Sequence, residues 1–321
     1  MHLVTYPSVI HLHLASGPLP PEGDRMTKKA KAFIGLTFLF SWLLILIFTL
    51  SGGKWNTIPA VIVAAVFMFV PMMVVIVLQK VVYREPMKEA MGISFKFNRW
   101  FLAAWFIPPA IAAAVLGITL LFPGIKFAPG IESMLALAME RFKDMYNPQQ
   151  IQQMQEGVAK LPIHYFWIAL IQGLVAGVTV NAVAGFGEES GWRGFLFREL
   201  LPLGFWRSSF IIGLVWGIWH APIIILGHNY PQHPYTGVFM MIAWCMLLAP
   251  LFSYIRIKSK SVIAASILHG TLNGTAGLAV MVIKGGNDLT TGVTGIPGFI
   301  ALAAVDLIIF LSIKKGDRLV F

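Results

Sequence analysis

The sequence predicts an all-α polytopic membrane protein of about eight transmembrane helices. Three observations carry that expectation. Of the 321 residues, 57% are hydrophobic and only 12% charged, against roughly 25% charged in a soluble domain. The apolar residues fall in runs close to the ~20 residues that cross a bilayer. Lysine and arginine gather in short clusters beside alternate runs, the pattern of cytoplasmic membrane loops. That clustering also disposes of the formal net charge of +10 as a nucleic-acid signal, because no basic surface with interleaved aromatics accompanies it. The single cysteine, Cys245, lies in an apolar run and excludes an intramolecular disulfide.

Residues 1–31 read as a tail. They carry His2, His11 and His13, and Pro18, Pro20 and Pro21, with no apolar core of the signal-peptide kind. Met26-Thr27-Lys28-Lys29 has the look of a more natural start. The tail is therefore expected to be a disordered extension or an over-extended reading frame. Its histidines are too weakly spaced for a metal site.

The remainder, 32–321, is one transmembrane domain. Its apolar segments are 32–50, 58–79, 101–122, 165–187, 208–227, 236–255, 262–283 and 296–313. The fourth is expected to stay helical to about Leu200, because no proline interrupts it before Pro202. With the N-terminus inside, 18 lysines and arginines fall on the cytoplasmic side and six outside. This bias favours both termini in the cytoplasm of a multi-pass cell-membrane protein. The longest outer connection, about 124–163, carries an amphiphilic stretch from Ile131 to Met145 that reads as an interfacial helix or lid.

Against this background the charged stretch Glu188-Glu189-Ser190-Gly191-Trp192-Arg193 stands out. An ionisable group at membrane depth is costly unless paired or placed in a wet cavity, so it marks a candidate site. Glu189 and Arg193 are one helical turn apart and can pair. Glu188 points about 100° away and stays free. Of the eight histidines, only His220 and His269 lie well inside apolar segments, and Asn273 follows His269 on the same helix face. At about 1.5 Å per residue from the nearest basic end, Glu188 lies roughly 15 Å in, His220 roughly 20 Å, His269 roughly 13 Å and Asn273 roughly 19 Å. One shared, water-accessible pocket accounts for all four. Asn181, Gln172 and Thr271 read instead as interhelical glue, and Asp306 as a packing or helix–helix contact. Gly185, Gly187, Gly191 and Gly194 leave room for close helix approach and a substrate backbone.

Hydrolysis suits such a set. A desolvated carboxylate can take a proton from water, and an imidazole with an amide can stabilise an oxyanion. Glu188, His220 and His269 would be the ligands if zinc were used. No HExxH or His/Cys cluster is present, so a metal is admitted but not demanded.

The three motifs Glu188-Glu189-x-x-x-Arg193, Trp216-x-x-x-His220 and His269-x-x-x-Asn273, in this order, resemble those of the CPBP family. These intramembrane proteases include the type II CAAX prenyl endopeptidases and the bacteriocin-processing or Abi proteins. The likeness covers a core from about 165 to 283, and departs at Trp216, where the family usually has phenylalanine. It implies an intramembrane endopeptidase in which Glu188 activates water and His220 assists. It further implies an oxyanion hole of His269 and Asn273, and support from Glu189 and Arg193. No cofactor is implied as necessary. The implied partners are membrane lipids and a peptide or protein substrate, with a prenylated CAAX-type C-terminus and a small peptide precursor as the two options. A proton-coupled transporter or channel would use Glu188, Asp306 and the histidines as a relay, yet should show pseudo-symmetric halves that are not apparent. A non-catalytic immunity or scaffold member of the family is the third reading, and the presence of every motif residue counts against it.

Overall fold

The computed structural model describes residues 26–88, 91–130, 134 and 148–314. The tail before Met26, the amphiphilic stretch 131–145 apart from Met134, and Lys315 and Arg318 lie outside the described residues. Helices dominate the described residues, joined by turns and loops, and the only strands among them are one short pair, so the all-α membrane fold is as expected. Five helices are long and apolar enough to cross a bilayer: α1 (Lys28–Leu50), α2 (Ile58–Ile76, extended by a wider π-type turn to Val82), α3 (Arg99–Thr119), and two later helices, Pro234–Ser259 and Ile296–Lys314. Polar side chains cap two of them. Thr27 accepts from the Ala30 amide and Asn98 from the Trp100 amide, each closing the open first turn.

After a short helix α4 (Pro148–Ala159), the fourth apolar segment forms two pieces, α5 (Tyr165–Val178) and α6 (Val180–Glu189). The helical path then runs on past Glu188, through a π-type turn at Ser190–Leu196 and the short α7 (Phe197–Leu200), as the absence of proline suggested. The break at Thr179 was not foreseen. It bends the path by 48°. The Thr179 hydroxyl takes the Val175 carbonyl at 2.7 Å, and its amide reaches back only to Ala176 at 3.1 Å. Hydroxyl back-bonding of this kind loosens the helical ladder and bends it.

The eight apolar segments all contain helices, but they are not eight full-length spans. Besides the five long helices and the bent α5–α6 path, two are short. Helix α8 (Phe205–Trp219) has 15 residues, about 22 Å of rise. It is interrupted at His220, where Pro222 restarts a single further turn, α9 (Ala221–Ile225). The two long helices named above are α10 (Pro234–Ser259) and the last helix. Between them α11 (Val262–Thr275) has 14 residues, capped by Ser261 on the Ile263 amide, and gives way to turns around Gly277. The last helix is α12 (Ile296–Lys314). Hydropathy alone reports the length of an apolar run, not where its helix stops.

Helix α11 crosses α5 and α6 at backbone contact. A Cβ on Gly270 would sit 2.5 Å from the Ala182 nitrogen and 2.6 Å from the Gly177 carbonyl oxygen, and one on Gly173 would sit 2.4 Å from the Gly274 oxygen. Small residues are how membrane helices come this close. Asn181 Nδ2 adds a hydrogen bond to the Gly270 oxygen at 3.2 Å, the interhelical role expected of it.

The polar groups sort to two ends. At one end Glu85 pairs with Lys29 and with Arg198, and Asn98 Nδ2 donates to the Ser259 carbonyl. The Lys29 hydrogen bond holds the Glu85 carboxyl below its ordinary range. These contacts bring together four of the basic stretches assigned to the cytoplasm. At the other end β1 (Lys126–Phe127) pairs antiparallel with β2 (Ile283–Lys284), and His233 bonds Asp288. The bundle therefore has one basic end and one end built from the outer connections.

Candidate active site

The site is built on the strand of helix where Glu188 and Glu189 follow one another, both essentially without solvent exposure. The i, i+4 pairing is as anticipated: Arg193 Nη1 lies 3.2 Å from each oxygen of Glu189. The guanidinium, itself fully buried, is sandwiched between two rings, with its central carbon 4.5 Å from the Trp216 ring and 4.4 Å from Phe252. Cation–π contacts of this kind gain strength when water is excluded. The π-type turn at Ser190–Leu196 begins directly after Glu189, and widened turns of this sort are frequent at functional sites.

Helix α11 brings His269 against both acids. Its Nδ1 is 2.8 Å from Glu189 Oε1, and its Nε2 is 3.9 Å from Glu188 Oε1. Gly185 makes room for it, since a Cβ there would lie 3.0 Å from His269 Cβ. Helix α8 contributes Trp216, whose indole Nε1 donates to Glu188 Oε2 at 2.7 Å. One turn on, His220 Nδ1 is 2.8 Å from the Trp216 carbonyl oxygen. A carbonyl only accepts, so Nδ1 carries that proton and Nε2 of a neutral ring is left with its lone pair. The Trp216 ring lies between the two histidines, 5.7 Å from each.

Glu188, Glu189, Arg193 and His269 thus form one buried, directly bonded cluster, and His220 is tied to it through Trp216. Asn273 is placed differently. It is exposed, one turn beyond His269 on α11, and makes no hydrogen bond to the described residues. Asp306 lies apart on α12, where its buried Oδ1 has no hydrogen-bond partner among the described residues. Two participants were not legible beforehand. The Trp216 ring was expected only as an aromatic in a motif, and Phe252 is one of 24 phenylalanines with nothing in its local sequence to single it out.

A metal here would have to be held by Glu188, His220 and His269. Among the described residues no three His, Cys, Asp or Glu side chains come together as a metal-binding group. Zinc sites normally use at least three protein ligands. His269 bonds a carboxylate through Nδ1 and His220 a carbonyl, contacts that metal-ligating histidines also make, which leaves their Nε2 atoms as the possible ligands.

Beside the cluster, between α3, α5–α6 and α11, lies a cavity of about 610 Å³ with an almost wholly apolar lining. Phe101 and Trp105 form one wall, Ala182 and Phe186 a second, and Ser266 and Ile267 a third. Phe186 is two residues before Glu188 and Ser266 three before His269, so the cavity and the polar cluster share the same two helices.

Comparison with known proteins meets the site at this point. Residues 161–275, the segment that supplies every polar group of the cluster, match the family model for type II CAAX prenyl endopeptidases, Rce1-like. Over this segment the chain is similar to the type II CAAX prenyl endopeptidases, in line with the CPBP resemblance of its motifs. It is also similar to the CAAX prenyl protease 2 of Methanococcus maripaludis, with 27% identity over 92 residues. That alignment covers 27% of this chain and 34% of the relative, so it spans about a third of the relative's length. The matched segment coincides with the helices α5 to α11, while α1 to α4 and α12 lie outside it.

The buried ion pair gives a stability expectation. Arg193→Ala removes the cation but leaves Glu189 buried, a loss of about 3–5 kcal/mol when one partner of a buried pair is deleted. Thermal unfolding in detergent should show a clearly lowered midpoint. A midpoint equal to that of the parent protein would mean that the pair does not hold the helices.

Proposed function

We propose that this protein is an intramembrane endopeptidase in which Glu188 activates the water that attacks a peptide carbonyl. The observation that carries the reading is the 3.9 Å separation of Glu188 Oε1 and His269 Nε2. It is too long for a hydrogen bond and invites a water shared by both groups. Glu188 Oε2 is meanwhile occupied by the Trp216 indole, so only Oε1 is free to act. The reaction class is supported by the likeness of residues 161–275 to the type II CAAX prenyl endopeptidases.

In the proposed step Glu188 takes one proton from the water as the oxygen adds to the carbonyl carbon. The carbonyl oxygen becomes an oxyanion. His269 faces one carboxylate on each nitrogen, so an imidazolium there would balance Glu188 and Glu189 together with Arg193, leaving the buried cluster neutral. Its Nε2–H is then a donor for the oxyanion, and Asn273 supplies a second from the exposed side of α11 once substrate is seated. Collapse breaks the C–N bond, and the proton held by Glu188 passes to the leaving nitrogen. His220 Nε2, its ring fixed through Nδ1, assists in orienting the water. No step is assigned to a metal.

The substrate class we infer is a peptide carrying a lipid near the scissile bond. The apolar cavity beside Phe186 and Ser266 supports this, because it offers a chain of hydrocarbon a place within reach of the cluster. The basic end of the bundle is taken to face the cytoplasm.

Glu188→Gln keeps the shape of the side chain but removes its basicity. It should remain folded and cleave a farnesylated CAAX peptide at least about a hundredfold more slowly. Full activity would refute the assignment. The parent protein should also keep its activity after dialysis against a strong chelator. Loss of activity together with about one zinc per chain, restored on adding zinc back, would instead establish metal-assisted hydrolysis.

A further inference from the structure

Trp216 touches every part of the polar cluster except Glu189. Its indole N–H donates to Glu188 Oε2 at 2.7 Å, its ring lies over the Arg193 guanidinium at 4.5 Å, and its carbonyl accepts from His220 Nδ1 at 2.8 Å. The ring also meets His269 at 5.7 Å. It is itself buried, 2% exposed, so none of these contacts is shared with bulk solvent.

We infer that Trp216 is a positioning residue for the base: its indole N–H locks Glu188 in one rotamer, with Oε1 turned to the attacking water, and tunes the basicity of that carboxylate. The inference rests on Glu188 acting as the base. A carboxylate has two equivalent oxygens and a freely turning end. One strong, buried, charge-assisted donor on Oε2 makes them inequivalent. The groups facing Glu188 are Trp216 from α8, His269 from α11, and Glu189 and the buried Trp192 indole from its own helical path. Of these the indoles cannot change charge, and Trp216 is the one that makes the 2.7 Å bond to Oε2. A fixed donor of this kind orients the base without joining its proton traffic.

Trp216→Phe separates the two roles of the side chain. It keeps an aromatic ring over Arg193 and leaves the backbone carbonyl on His220, while deleting only the donor to Glu188. The expected result is a folded enzyme with KM for a farnesylated peptide changed less than about twofold and kcat lowered about tenfold or more. The acid limb of its rate–pH profile should move up by roughly one pH unit, because a hydrogen bond to the charged form of the base has been lost. Trp216→Leu, which removes the ring as well, should lose stability in addition. Parent-like kcat and an unmoved acid limb in Trp216→Phe would overturn the inference. If Glu188→Gln is inactive while Trp216→Phe is parent-like, only the role of Trp216 fails. If Glu188→Gln is active, the underlying mechanism fails. Should Trp216→Phe not fold, the parent protein labelled with ¹⁵N-tryptophan gives the same answer. One indole N–H resonance should titrate with the midpoint of the acid limb and cease to titrate in Glu188→Gln. Absence of any such resonance would overturn the inference equally.

Discussion

Two adjacent carboxylates buried in an apolar bundle are the constraint on which this structure depends. Neither Glu188 nor Glu189 can reach bulk water, and an unpaired buried charge costs several kcal/mol. Each is answered by a group from elsewhere: Glu189 by Arg193 and His269, Glu188 by Trp216 and, across a short gap, His269. These partners come from α8 and α11 as well as from the acids' own helix, and α10 adds Phe252 as the second face of the guanidinium sandwich. The core helices must therefore converge on a single point. Glycines make this possible, Gly185 beneath His269 and Gly270 against the backbone of α5–α6.

Such convergence divides labour between the two acids. Glu189 bonds both Arg193 and His269 through Oε1 and serves as an anchor for them. Glu188 keeps one oxygen uncommitted. The difference comes from the helical turn of about 100° between neighbours, which sends one side chain towards Arg193 and the other towards α8. Burial then amplifies it, because electrostatic contacts grow stronger as water is excluded. The apolar cavity lies along α6 and α11, the two helices that carry Glu188 and His269.

Much of this was legible in the sequence, and for identifiable reasons. Charge is so scarce in the chain that Glu188, Glu189 and Arg193 advertise themselves, and the fixed geometry of a helix delivers the Glu189–Arg193 pair from spacing alone. Depth counting from basic ends put His220 and His269 near the acids because helical rise is constant. It failed where helices do not run straight. The bend at Thr179 depends on a hydroxyl choosing a carbonyl one turn back, and the early ends of α8 and α11 depend on local backbone chemistry inside apolar runs. Counting put Asn273 level with the others, but it lies exposed beyond the cluster. The roles of Trp216 and Phe252 were invisible because which way a ring faces is decided by tertiary packing, not by its neighbours in sequence.

The central claim is that Glu188 acts on water and does not itself attack the substrate. A single turnover in H₂¹⁸O, with enzyme in excess over a farnesylated CAAX peptide, tests it most directly. The account predicts that the label enters the newly formed carboxylate of the product while the peptide containing Glu188, recovered by proteolysis, stays unlabelled. Label found in Glu188 would reveal a covalent acyl intermediate on that side chain and contradict the account.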